Sequence, residues 1–256
     1  MGWRTGARAL RADGGNRMKT TVIFDWYGTL AHWSSETSNY RSVFQQYGND
    51  VDEATIDAYH VRWDGFDHAE HSRSKLDYEA WTRTRLRSLV AECGVTSVAH
   101  DEVIDALLLS DADATMACFP DAPVVLEELF NRGVRIGVCS NWGWELEPYL
   151  EQTGLRDYVD VVITSARAGY RKPHPGIYDV TLAQLGIDAS SAVFVGDSWA
   201  PDVLGPLQAG MTPVHIVRSS TATPPELVEG AHRIGQLDEL LTLQLFGDEV
   251  RGAPSS

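Results

Sequence analysis

Hydrophobic and polar positions follow two different rhythms along this chain. The apolar run Val22, Ile23, Phe24 reads as a short buried strand that delivers Asp25 into a turn closed by Gly28. From there to about residue 116 the spacing is helical. Tyr40, Val43, Phe44 and Tyr47 share one face before Gly48, and Ile56, Tyr59, Trp63 and Phe66 repeat at three and four. Trp81, Leu86, Leu89, Val90 and Cys93 do likewise before Gly94, and Val103, Ile104, Leu107 and Leu108 mark one more helix. The pattern predicts an all-helical block of about four elements.

Beyond residue 120 helix and strand alternate. "DAPVVLEELFNRG" predicts a helix and "VRIGVCS" a strand; "WELEPYLEQTG" and "YVDVVITS" repeat the pair. "PGIYDVTLAQLG" opens a helix on Pro175 and closes it on Gly186, before the strand "AVFVGDS". The helix "PDVLGPLQAG" and the strand "TPVHIV" complete the series. Such alternation predicts an α/β fold with parallel strands joined by right-handed crossovers. The first strand belongs with the later ones, so the helical block is an insert. The expected division is a leader at 1–17, a core at 18–34 and 117–248, and the helical insert at 35–116.

Composition narrows the function. A chain of 256 residues can bury a sizeable core. Its formal charge of −15 argues against nucleic acid, whose phosphates it would repel. Cys93, Cys118 and Cys139 are few and far apart, without the spacing of a zinc site or a disulfide framework, which suits a reducing cytoplasm. No apolar run approaches the roughly 18 residues of a membrane span. The basic, Gly-rich start lacks the apolar segment of a secretory signal, and Met18 is a plausible true beginning. The expected partner is therefore a small molecule. Nothing in the pattern separates monomer from homodimer.

In sheets of this kind, sites lie at the carboxyl ends of the strands. Asp25 stands at the first such end as a candidate nucleophile. Ser140 and Asn141 stand at the second, able to donate to an anionic oxygen. Beyond the third, "RKPHPGIY" puts Lys172 just ahead of a helix. The fourth carries "VGDSWAPD", with Asp197 and Asp202. Those two carboxylates and Asp25 would make an oxygen-rich pocket suited to Mg2+.

This ordered set resembles the haloacid dehalogenase superfamily from Met18 to about residue 245. Its four motifs are similar to "DWYGTL", Ser140, Lys172 and "GDSWAPD". The resemblance implies a Rossmann-like five-stranded sheet in the order 5-4-1-2-3, with a helical cap of the type inserted after the first motif. It implies that Asp25 attacks the substrate to form a covalent aspartyl intermediate, that Lys172 holds Asp25, and that Ser140 and backbone amides receive the transferring group. Trp26, Thr29, Asn141 and Lys172 would contact substrate. Mg2+ would be held by Asp25, Asp197, the Tyr27 carbonyl and, directly or through water, Asp202.

Tyr27 departs from the phosphatase pattern, which has Asp at this position to protonate the leaving oxygen. A phenol, ionising only near about pH 10, is a poor acid or base at neutrality. Tyrosine there is similar to the 2-haloacid dehalogenases of the family, whose halide leaves without a proton. Those enzymes use no metal and receive the halide on a cap arginine, for which Arg41, Arg62 and Arg73 are the candidates. Three readings follow. One is a Mg2+-dependent phosphatase with unusual proton handling, its substrate an activated phosphate or its proton drawn from His68, His71, Arg73 or Lys75. The others are a dehalogenase-type hydrolase and a catalytically weak binder of phosphorylated ligands.

Overall fold

A computed structural model describes residues 20–34, 40–64, 74–112, 114–218 and 223–246. The chain runs β1 (Thr21–Phe24), β2 (Ala31–Trp33), then helices α1 (Tyr40–Gln46), α2 (Glu53–Asp64), α3 (Lys75–Glu92) and α4 (His100–Ala112), and returns through β3 (Met116–Cys118). Alternation follows: α5 (Ala122–Asn131), β4 (Arg135–Ser140), α6 (Glu147–Gln152), β5 (Val161–Thr164), α7 (Ser165–Ala168), α8 (Pro175–Leu185) and β6 (Ala192–Gly196). A π-helical turn (Trp199–Leu204), α9 (Gly205–Gln208), β7 (Thr212–Ile216) and β8 (His232–Ile234) complete it.

Six strands form one parallel sheet in the order β5-β4-β1-β6-β7-β8. For the five strands read from sequence, this is the expected 5-4-1-2-3 order. The sixth, β8, extends the edge beside β7 and was not anticipated, because its three residues are too few to show a period. β1 lies at the centre, with Phe24 level with Val138 on one side and Val195 on the other. Val22 and Phe24 face one hydrophobic core while Ile23 faces the other, so a strand covered on both sides reads as an unbroken apolar run.

The helical block has its own core, in which Tyr40, Phe44, Ile56, Tyr59, Leu86, Leu89 and Leu107 are buried. Tyr47 is 37% exposed despite its helical spacing, because α1 ends at Gln46 before it. The Trp63 side chain and Phe66 lie outside the described residues. Two further corrections concern the junctions. The chain leaves and re-enters the core through an antiparallel ribbon, Ala31–Trp33 against Met116–Cys118, where the sequence pattern suggested only helix. The helix expected from Pro201 instead begins as the π-helical turn at Trp199, with the missing donor of Pro201 inside it. No helix among the described residues is long and apolar enough to cross a membrane.

Candidate active site

Asp25 follows β1 directly, and its N–H donates to the Val195 carbonyl of β6 at 2.8 Å. Its side chain points into a buried group of charges. Lys172, on the loop between α7 and α8, donates from Nζ to Asp25 Oδ1 and to Asp202 Oδ1, each at 2.7 Å. The other Asp202 oxygen accepts from the Ser198 N–H at 2.9 Å. Asp25, Asp197 and Asp202 each offer a carboxylate oxygen within 4.8 Å of the others. Residues from three separated stretches of chain therefore meet at the carboxyl edge of the sheet.

Two glycines make the room. Gly28 has φ +81°, and a Cβ there would fall 2.4 Å from Asp197 Oδ2. A Cβ on Gly196 would fall 2.3 Å from Asp202 Cγ. No other residue fits either place without displacing a carboxylate.

The charges do not balance. Burial and the nearby Asp25 push the Asp197 carboxyl up. Burial pushes Asp202 up to about 7, Asp25 adding to the shift and Lys172 opposing it. Burial alone would lower Lys172, but Asp202 and Asp25 outweigh it and hold the ammonium protonated. One ammonium thus faces three carboxylates. A hard divalent cation would offset the excess, and an all-oxygen donor set without nitrogen or sulfur suits Mg2+. Asp202 already uses both oxygens on Lys172 and Ser198, so Asp25 and Asp197 are the freer donors.

The remaining expected residues divide. Ser140 is buried at the end of β4, level with Thr164 of β5. Asn141 is committed elsewhere than to substrate: its Nδ2 donates to the Lys172 carbonyl at 3.0 Å and its Oδ1 accepts from the Lys172 N–H at 2.7 Å. It is a clasp that fixes the lysine loop. The Trp26 side chain is fully buried and donates from Nε1 to Met116 Sδ at 3.1 Å, leaving only its backbone for a ligand. Thr29 is fully buried too, its hydroxyl without a partner among the described residues. Neither side chain can face substrate as the sequence reading had it. Tyr27 is 47% exposed, and its carbonyl stays outside the bonds of the turn, which join Leu30 and Ala31 to Trp26 and Gly28 to Ala31.

Residues 19–210 match the family model of haloacid dehalogenase-like hydrolases. The chain belongs to that family. Among curated relatives, it is 36% identical over 152 residues to the ribulose-1,5-bisphosphate 5-phosphatase of Halopiger xanaduensis, covering 54% of this chain and 64% of that one. It is 34% identical over 154 residues to a phosphatase of Mycobacterium tuberculosis, covering 59% and 68%. The chain thus spans less than two thirds of the length of the ribulose-bisphosphate phosphatase. A phosphatase of the family from Thermococcus onnurineus superimposes with TM-score 0.63 at 25% identity, over 90% of this chain and 100% of that one. A 2-haloacid dehalogenase from Pseudomonas syringae shares the fold, with TM-score 0.64 at 23% identity over 88% and 97%.

Two supports of the site were missed in the sequence, although both stand at a strand end in "TPVHIVR". His215 of β7 is buried, with Nε2 3.1 Å from the Asp197 carbonyl. Arg233 donates to its Nδ1 at 3.4 Å, which assigns the proton to Nε2. Burial, against the Asp197 bond and helped by Arg233, holds the imidazole below its ordinary value and therefore neutral. Arg218 donates to the Thr29 carbonyl at 2.7 Å and forms a bidentate pair with Asp121 at 2.9 and 3.0 Å.

Of the proposed proton sources, His68, His71 and Arg73 lie outside the described residues. Lys75 is exposed and paired to Glu145 at 2.6 Å. Of the candidate halide arginines, Arg41 pairs with Asp50 at the surface, and the Arg62 side chain lies outside the described residues.

Proposed function

We propose that this chain is a Mg2+-dependent, phosphatase-type hydrolase of a small phosphorylated metabolite, working through a covalent intermediate on Asp25. The observation that carries the reading is Lys172 buried between Asp25 and Asp202 with the exposed Asp197 alongside, a group with more negative charge than its lysine can neutralise. The names of the two phosphatase relatives support it.

In this reading an Asp25 oxygen forms a bond to phosphorus while the bond to the leaving oxygen breaks, its electron pair departing with that oxygen. Water then attacks the phosphorus of the acyl phosphate and frees Asp25. Lys172 keeps Asp25 aimed, and Ser140 with the backbone after Asp25 receives the phosphoryl oxygens. Asp25, Asp197 and the Tyr27 carbonyl would hold Mg2+, with Asp202 supporting the loop. The ion supplies neutralisation of phosphate charge. We read residues 35–116 as a cap: their helices share a core of their own, and α3 reaches the loop after β4 through Lys75–Glu145 and the Tyr78–Trp144 ring contact at 5.8 Å. A reducing cytoplasm remains the setting that the cysteines suit.

Tyr27 favours a second reading, dehalogenase-type hydrolysis, because a halide needs no proton. A panel of phosphorylated metabolites and 2-haloacids, assayed with Mg2+ and with chelator, separates the two. Phosphate release that chelator abolishes supports our reading. Chelator-resistant halide release supports the other, and binding without turnover would leave a ligand-binding protein.

A further inference from the structure

Tyr27, 47% exposed in the turn after Asp25, does not stand alone. Its ring centroid lies 6.3 Å from Trp33 of β2, and Trp33 lies 5.6 Å from Trp142 with the planes 31° apart. Tyr149 meets both tryptophans edge-on, at 5.9 and 5.6 Å. Trp142 comes two residues after Ser140, in the loop that follows β4, the strand next to β1. The row therefore starts in the nucleophile's own turn and ends beside the residue that would receive the phosphoryl oxygens. Trp33 and Trp142 are half-buried, so each keeps some open surface.

The row is also fixed in place. Trp142 donates from Nε1 to the Glu145 carbonyl at 3.1 Å, and its own carbonyl accepts from Ser165 Oγ at 3.1 Å and the Ala166 N–H at 3.2 Å. Trp33 is held by the ribbon with β3. A rigid aromatic wall loses little freedom on binding and offers π faces to a planar group.

The same turn lacks a carboxylic acid to protonate a leaving group. An alkoxide leaves badly without one, whereas a phenolate can leave unprotonated. Planarity and weak basicity meet in one class of leaving group. We propose that Tyr27, Trp33 and Trp142 form a leaving-group subsite, and that the substrate is an aryl phosphate monoester. This rests on the phosphatase reading. As the bond from Asp25 to phosphorus forms, the bond to the aryl oxygen breaks. The electron pair stays on the phenolate, which takes its proton from water after release.

The test uses the full chain with Mg2+ and three substrates: phenyl phosphate, acetyl phosphate and a nucleoside 5′-monophosphate. Phenylphosphonate and methylphosphonate serve as non-hydrolysable inhibitors. We expect kcat/KM for phenyl phosphate to exceed that for the nucleotide by about 100-fold or more, the low end of what acid catalysis supplies. Phenylphosphonate should inhibit about tenfold more tightly than methylphosphonate, in line with the worth of one aromatic contact. Trp33→Leu and Trp142→Leu should erase most of that preference, while Trp33→Phe, which keeps a ring, should retain it. Equal inhibition by the two phosphonates, or faster turnover of the nucleotide, would overturn the subsite while turnover of acetyl phosphate upheld the phosphatase reading. Failure to turn over any of the three would remove the phosphatase reading and the subsite with it.

Discussion

Lys172 is the residue on which the charged group depends, since its ammonium is the only cation bonded to Asp25 and Asp202 among the described residues. Lys172→Met would leave two buried carboxylates facing each other. Removing one partner of a buried pair typically costs about 3–5 kcal/mol, so urea unfolding of the metal-free variant should show a loss of that order and turnover should vanish. Asp197→Asn is expected to act differently. It should preserve the unfolding midpoint of the metal-free protein but abolish the rise in Tm on adding Mg2+. Tyr27→Asp would place an acid where the phenol stands, and alkyl phosphates should then gain, at most, the roughly 10²- to 10⁴-fold that acid–base assistance supplies. An unchanged rate on alkyl phosphates, in a variant that still binds Mg2+, would show that protons already arrive from elsewhere. At this scale the sequence was informative where a role needs a charged residue near a strand end: Asp25, Lys172, Asp197 and Asp202 meet there, and Ser140 ends the neighbouring strand. It was uninformative about direction. Whether Trp26 faced ligand or core, and whether Asn141 faced ligand or Lys172, depends on side-chain orientations that spacing does not encode.

Among the elements, the ribbon β2–β3 and its anchor Arg218 matter most. Both ribbon strands join the core at residues that Arg218 holds, Thr29 on the way out and Asp121 on the way back, and the Leu237 N–H adds a bond to Asp121 at 2.8 Å. The guanidinium also lies 3.8 Å over the Phe119 ring. Arg218→Ala should therefore cost about 1–3 kcal/mol by leaving the partly buried Asp121 with only the Leu237 N–H as a partner, and Arg218→Lys should recover only part, lacking the fork. Denaturant melts of the two variants give the comparison. The ribbon escaped the sequence reading because three residues of strand carry no period, as did β8 on the sheet edge. The buried parallel strands and the helices of the insert were legible because each carries an apolar run or a repeat long enough to recognise.

Across the whole molecule, charge links the site to pH. Burial raises Asp202 to about 7 and, with the nearby Asp25, pushes Asp197 up as well, so the folded metal-free protein binds protons more tightly there than the unfolded chain does. The contribution of Asp202 to stability is accordingly full at low pH and is lost as pH rises through about 7, and Asp197 acts in the same direction. Mg2+ competes with those protons, so the gain in Tm on adding Mg2+ should be larger at pH 8 than at pH 6. A gain that shrank with rising pH would place the ion away from these carboxylates. The formal charge of −15 gave no hint that part of the negative charge is buried at the site. The central claim is that Asp25 is phosphorylated during turnover. Rapid acid quench with phenyl or acetyl phosphate, followed by mass spectrometry of the peptide containing Asp25, tests it directly. The account predicts one added phosphoryl group on that peptide, absent in chelator and in Asp25→Asn. Steady phosphate release with no phosphoryl group ever found on Asp25, and persisting in Asp25→Asn, would contradict it.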